Sequence, residues 1–324
     1  MPSPILIDYG HGIHAVDADY VRPGLAAMHL LIQDGRAAII DTGTQRSAPL
    51  VLAALERLGL GPEHLDLVIV THVHLDHAGG AGALLQACPN ARLVAHPKGA
   101  RHMIDPGKLI AGSIAVYGEE RFHELYGDIV PAPAERVIEA PDGYGLDFRG
   151  RTLTFLDTPG HARHHFCVWD EASRGIFTGD SFGLSYREFD VRGRPFIFPT
   201  TTPVQFEPDA MHATLDRLMG LEPEAAYLTH FGRVTGLTPL ADDLHRLLDA
   251  FVELANSAGG SGPERHARMK SNMGRLLLEQ LRAHGCTLVE DRIFTLLEND
   301  LELNCQGLAV WLDRTARGGA EQGR

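Results

Sequence analysis

Three histidines and an aspartate fall within six positions, His72-Val73-His74-Leu75-Asp76-His77, directly after the apolar run Leu67-Val68-Ile69-Val70. No fold needs this cluster for stability. On an extended segment His72 and His74 project the same way, and the next turn brings Asp76 and His77 round from another side. The pattern predicts two adjacent metal half-sites at the mouth of a sheet. Imidazole nitrogen with some carboxylate oxygen is the donor set that borderline cations such as Zn²⁺ prefer, with Fe²⁺ and Mn²⁺ also accommodated. The glycine-rich helix start Ala78-Gly79-Gly80-Ala81-Gly82 follows at once, so strand, ligands and helix occur together.

A chain of 324 residues can bury a large core, and 44% apolar with 22% charged residues is ordinary for a globular protein. The net charge of −13, from 42 acidic and 29 basic residues, disfavours nucleic acid, whose affinity for proteins comes chiefly from Lys and Arg. Eighteen histidines are a surplus to be weighed as ligands. Cys88, Cys167, Cys286 and Cys305 show no paired spacing and read as buried thiols in a reducing compartment. The start, Met1-Pro2-Ser3-Pro4, lacks a basic region followed by a long apolar stretch, and no run of apolar residues is long enough to span a membrane. A cytoplasmic protein is the expectation.

Strands alternate with helices through the first half. Met28–Gln33 and Arg36–Asp41 flank Asp34-Gly35, a hairpin signal. A helix is expected over Arg46–Leu58, a strand over Leu67–Val70, a helix over Gly80–Ala87 and a strand over Arg92–Ala95. Residues 97–130 read as helical, either a lid over the metal site or packing on a sheet edge. Strands resume at Leu146–Phe148, Thr152–Leu156, Phe166–Trp169 and Gly175–Thr178. Residues 181–206 form a long loop rich in Phe, Thr and Pro. Ala225–Thr229 reads as the last strand, followed by a helix over Leu240–Ala255. The Gly259–Pro263 stretch marks a linker, with helices expected at 264–283, 289–299 and 304–314. The division expected is a catalytic domain over 1–258 and a helical extension over 259–324. Apolar stripes on the extension suit packing on the main domain or homodimer formation.

Three further residues complete a seven-ligand site, each at the carboxyl end of an expected strand, where α/β proteins place their chemistry. His161 follows Thr158-Pro159-Gly160, Asp180 follows Gly179, and His230 follows Thr229. His11, His14, His29, His96, His102 and His123 read as structural or surface residues.

These motifs, with Asp41-Thr42-Gly43 after an early strand, resemble the metallo-β-lactamase-fold hydrolases over residues 25–235. The resemblance implies an α/β fold, the four-layer αβ/βα sandwich. It implies that His72, His74 and His161 hold one metal, Asp76, His77 and His230 a second, and that Asp180 bridges them. Two cations about 3.5–4 Å apart lower the pKa of a shared water from about 16 toward neutrality, giving a bridging hydroxide that attacks a carbonyl. Asp76 is the group to orient that nucleophile. Asp41 reads as a support that accepts an N–H from a ligand imidazole. His165 supports from the near side, and His164 is expected on the opposite side of its strand.

Departures from the pattern narrow the branch. The bridging aspartate is absent from true metallo-β-lactamases and present here. Flavin-diiron relatives have Glu where this chain has His74, and tRNA-processing relatives carry a basic arm. The glyoxalase II-type thioesterases and the acyl-homoserine-lactone-type lactonases share all seven ligands. Phe231-Gly232-Arg233 departs from the glutathione-binding motif of the former. The latter supply a tyrosine beyond the bridging aspartate to bind the carbonyl oxygen, a role Tyr186 is placed to fill. Phe182, Phe189 and Phe196 are candidates to line an acyl pocket. The expected function is dinuclear hydrolysis of a lactone, carboxylic ester or thioester of a small molecule. The alternative is a mononuclear-iron oxygenase or a metal-dependent sensor on the same fold.

Overall fold

The computed structural model describes residues 4–202 and 204–322. The residues Met1-Pro2-Ser3 of the leader reading, and Pro203 of the long loop, lie outside the described residues. The chain divides into two compact units. The first comprises 1–158, 164–179 and 223–235, and the second comprises 159–163, 180–222 and 236–324.

Two sheets build the first unit. Among the described residues one has seven strands in sequence order: β1 (Leu6–Asp8), β2 (Ile13–Asp17), β3 (Ala27–Gln33), β4 (Arg36–Ile40), β5 (Leu65–Ile69), β6 (Arg92–Ala95) and β7 (Val137–Glu139). Strands β1 to β4 pair antiparallel and β4 to β7 parallel. The Asp34-Gly35 turn sets the β3–β4 register, with Gln33 opposite Arg36. Parallel pairing requires crossovers. These are α1 (Ala48–Arg57), the short α2 (Leu75–Ala78) with α3 (Ala81–Ala87), and the α4 (Pro97–Ile104), α5 (Gly107–Tyr117) and α6 (Glu119–Tyr126) excursion.

The second sheet contains β8 (Tyr144–Phe148), β9 (Arg151–Asp157), β10 (Phe166–Asp170), β11 (Gly175–Gly179), β12 (Ala225–Leu228) and β13 (Gly232–Thr235). All its pairings are antiparallel except β11–β12. The expectation that β12 ends the sheet is corrected by β13, whose four residues alternate buried and exposed. The inner faces share one core: Leu31, Ile40, Ile69 and Val94 from the first sheet meet Phe155, Phe166, Val168 and Phe177 from the second. That burial fixes strand register, because a one-residue slip would turn each apolar set outward.

The second unit is helical apart from the 181–206 loop, with α7 (Pro208–Met219), α8 (Leu237–Ser257), α9 (Gly262–His284) and α10 (Glu290–Gln322). The α8 stripe expected from sequence is buried at Leu244, Leu247, Leu248 and Phe251 and half-buried at Val252 and Leu254. The last two expected helices are one continuous helix. Its middle carries Asp300 and Asn304, weak helix formers, whose side chains are buried and hydrogen-bonded elsewhere in the unit. Asn304 Oδ1 accepts from Thr201 Oγ1 at 3.1 Å as well as from the Thr201 backbone N–H. No helix among the described residues is long and apolar enough to cross a membrane.

Candidate metal centre

The parallel strands of the first sheet deliver their carboxyl ends to one edge, and the chemistry collects there. Strand β5 leads through Thr71 to His72. His74, extended at φ −64° and ψ 145°, is the N-cap residue of α2, and Asp76 and His77 occupy that helix. The imidazole centroids of His72 and His74 are 4.4 Å apart, and those of His72 and His77 4.1 Å. His230 stands just beyond β12, its ring centroid 5.3 Å from that of His77. Asp76 Oδ2 lies 3.7 Å from His77 Nε2 and 3.6 Å from His230 Nε2. His161 Nε2 lies 3.3 Å from Asp180 Oδ2.

Two groups of donor atoms result, each with all its atoms within 4.8 Å of one another: His72, His74, His161 and Asp180, then Asp76, His77 and His230. The structure brings together the residues expected from sequence, with Asp180, expected as the bridge, in the first group. Five imidazoles and two carboxylates, mostly buried, are a donor set suited to divalent metal, whereas buried charge without a counter-ion is costly. On donor chemistry the residues fit a pair of divalent cations.

The tautomers are fixed from behind. The His77 Nδ1–H donates to Asp41 Oδ2 at 2.7 Å, and the His230 Nδ1–H donates to the Leu25 carbonyl at 2.8 Å, so each ring turns Nε2 toward the site. Asp41 is fully buried and also accepts from the Thr71 backbone N–H at 2.8 Å and the Thr229 hydroxyl at 2.7 Å. Thr71 and Thr229 were not singled out in the sequence. The signal was their position, each one residue before a candidate ligand histidine. Gly179, at φ +48°, is required before Asp180, because a Cβ there would come within 2.5 Å of the Thr71 hydroxyl and 2.6 Å of His165 Nε2.

His165 is fully buried, with Nδ1 2.8 Å from the Thr158 hydroxyl and its ring 4.8 Å from that of His72. His164 lies beside the cluster as well, its centroid 5.9 Å from that of His74, which corrects the expectation that it faces away. Burial, followed by the neighbouring His74, pushes its pKa down to about 3. Three phenols, Tyr20 and, from the 97–130 segment, Tyr117 and Tyr126, lie within the field of Asp76. Burial first, then that carboxylate among other groups, raises all three above the ordinary tyrosine range. Tyr20 and Tyr126 hydroxyls are 3.1 Å apart.

Tyr186 meets a different partner from the carbonyl oxygen expected. Its side chain is fully buried and its hydroxyl donates to Asp300 Oδ1 at 2.9 Å. Phe182, Phe189 and Phe196 are buried too, and pin the loop.

The sheets, crossovers and edge site define a metal-binding protein of the αβ/βα sandwich class. The family model described as the metallo-beta-lactamase superfamily matches residues 21–230, and the chain belongs to that superfamily. A metallo-beta-lactamase fold-containing protein of Sulfurisphaera tokodaii is 28% identical over 228 residues, 69% of this chain and 80% of that one. A hydroxyacylglutathione hydrolase of Aeromonas hydrophila is 26% identical over 202 residues, 62% of this chain and 59% of that enzyme. The crystal structure of a metallo-beta-lactamase family protein from Thermus thermophilus superposes with a TM-score of 0.65 at 20% identity, covering 98% of this chain and 95% of that one.

Proposed function

We propose that the chain is a dinuclear metal-dependent hydrolase of an ester-type bond, in a lactone, carboxylic ester or thioester, acting in the cytoplasm on a small molecule. The observation that carries this reading is the convergence of both ligand groups, with Asp180 beside His161. The similarity to a hydroxyacylglutathione hydrolase supports it. In this reading residues 1–258 form the catalytic domain and 259–324 its helical extension.

His72, His74, His161 and Asp180 would hold one divalent ion, Zn²⁺ by preference, and Asp76, His77 and His230 a second, with Asp180 shared. Bound there, such ions polarise a carbonyl and bring the pKa of water near neutrality. The protein's own groups do the rest. Asp76, one-fifth exposed, reaches solvent and substrate and takes up the proton of the attacking water. Asp41 holds His77 in one tautomer through the 2.7 Å bond. Tyr20 and Tyr126, nearly fully buried, exclude water on the side of Asp76 and stay protonated.

A panel of lactones, aryl esters and thioesters, assayed with metal-reconstituted protein, tests the proposal. Wild type turns over at least one class, and Asp180→Ala lowers kcat/KM on it by about 100-fold or more. Equal turnover by Asp180→Ala on every substrate would refute the hydrolytic role, as would iron-dependent oxygen uptake in place of hydrolysis.

A further inference from the structure

Helices α7 and α8 carry the same short pattern. His212 and Asp216 stand four residues apart on α7, and His245 and Asp249 four apart on α8. The pairs link crosswise. His212 Nε2 lies 3.0 Å from Asp249 Oδ1, and His245 Nε2 lies 3.3 Å from Asp216 Oδ1. A carboxylate only accepts hydrogen bonds, so His212 Nε2 carries its hydrogen. The two Nδ1 atoms then face each other 2.6 Å apart. The rings are within 7° of parallel with centroids 4.9 Å apart. That separation equals the Nδ1 gap plus one ring radius on each side, so the rings lie edge to edge with these nitrogens inward. Two ring nitrogens this close offer a single cation a pair of donors.

We propose that His212 and His245 form a peripheral binding site for a borderline divalent metal ion of the Zn²⁺, Ni²⁺ or Cu²⁺ type. Imidazole is a ligand these ions share, and a carboxylate on the far ring nitrogen is the arrangement that orients metal-binding histidines. The imidazoles are 25% and 29% exposed, so ions in solvent reach them and water completes the coordination. A tetrahedral ion needs its two nitrogens about 3.3 Å apart, so binding parts the rings by about 0.7 Å, within reach of side-chain rotation.

The site has a consequence for the second unit. Residue Met211 of α7, next to His212, backs directly on Gly160, where a Cβ would come 2.5 Å from Met211 Cα. Glu207 N–H donates to the Gly160 carbonyl at 2.8 Å, and the Thr214 hydroxyl to the Pro159 carbonyl at 2.7 Å. Helix α7 is therefore the wall behind the loop that carries His161. A metal ion joining α7 to α8 would stiffen that wall, whatever bond the enzyme cleaves.

Copper titration followed by electron paramagnetic resonance tests the site on protein whose other metals are already loaded as Zn²⁺. The expected result is a Cu²⁺ signal with splitting from two imidazole nitrogens, lost in His212→Ala and in His245→Ala. Asp249→Asn keeps both rings and should weaken binding about 10-fold or more. Added Zn²⁺ should raise Tm in wild type and not in either histidine variant, and circular dichroism of the two variants guards against a folding defect in one. A copper signal of equal strength and splitting in wild type and both variants would assign the ion to another site and overturn the proposal. So would an absence of copper uptake by wild type at micromolar concentration.

Discussion

His29 lies on β3 among the rings of Tyr9, Phe177 and Tyr227, and its Nε2–H donates to the Leu228 carbonyl at 3.0 Å. Burial holds its pKa down at about 4, against 6.5 when exposed. Between those values the unfolded chain binds the proton and the folded chain does not, so falling pH favours unfolding. The stabilisation is complete above about pH 6.5 and is lost progressively down to about pH 4, a loss of about 3 kcal/mol in the limit. Urea melts of metal-free protein from pH 7 to 4.5 should show that slope, and His29→Met should flatten it; an unchanged slope would remove His29 as its source. Single residues also mark the limit of sequence reading. The cluster of seven donors was legible because imidazoles and carboxylates at strand ends have few other uses. Thr71 and Thr229 were not, because a threonine before a histidine is common, and only the folded chain brings both onto Asp41. The Tyr186–Asp300 contact was hidden for a similar reason: a loop tyrosine has no pattern that says which way it turns.

At the scale of elements, the β9–β10 pair depends on a buried ion pair. Arg151, the first residue of β9, donates from Nε to Asp170 Oδ1 at 2.7 Å, and from Nη2 to the other carboxylate oxygen. The two side chains are 4% and 0% exposed, and the Ser173 hydroxyl also donates to Asp170. Removing one partner leaves an uncompensated buried charge, so Asp170→Ala should cost about 3–5 kcal/mol, measured by chemical denaturation. A loss below about 1 kcal/mol, the value of an exposed pair, would contradict the burial. Strands bounded by two-residue turns, such as β3–β4 and β8–β9, were legible because turn chemistry and alternation agree there. Strand β13 was too short to show its period. The unbroken α10 was hidden by Asp300 and Asn304, whose tertiary hydrogen bonds to Tyr186 and Thr201 override their weak helix propensity. The long loop has no period at all. Its order comes from buried aromatics and from contacts such as the Ser185 hydroxyl donating to the Phe196 carbonyl at 2.7 Å.

For the whole molecule, the sandwich was legible because motif order along the chain maps onto one sheet edge, whereas the role of the helical extension was not, since its apolar stripes fit any apolar partner. The central claim is that seven side chains from distant parts of the chain hold two cations together. Metal analysis of the His212→Ala protein, which lacks the peripheral pair, measures this most directly. The account predicts about two divalent ions per chain, falling to about one or fewer when Asp180→Ala is added. A single ion per chain, or a content that Asp180→Ala leaves unchanged, would contradict it.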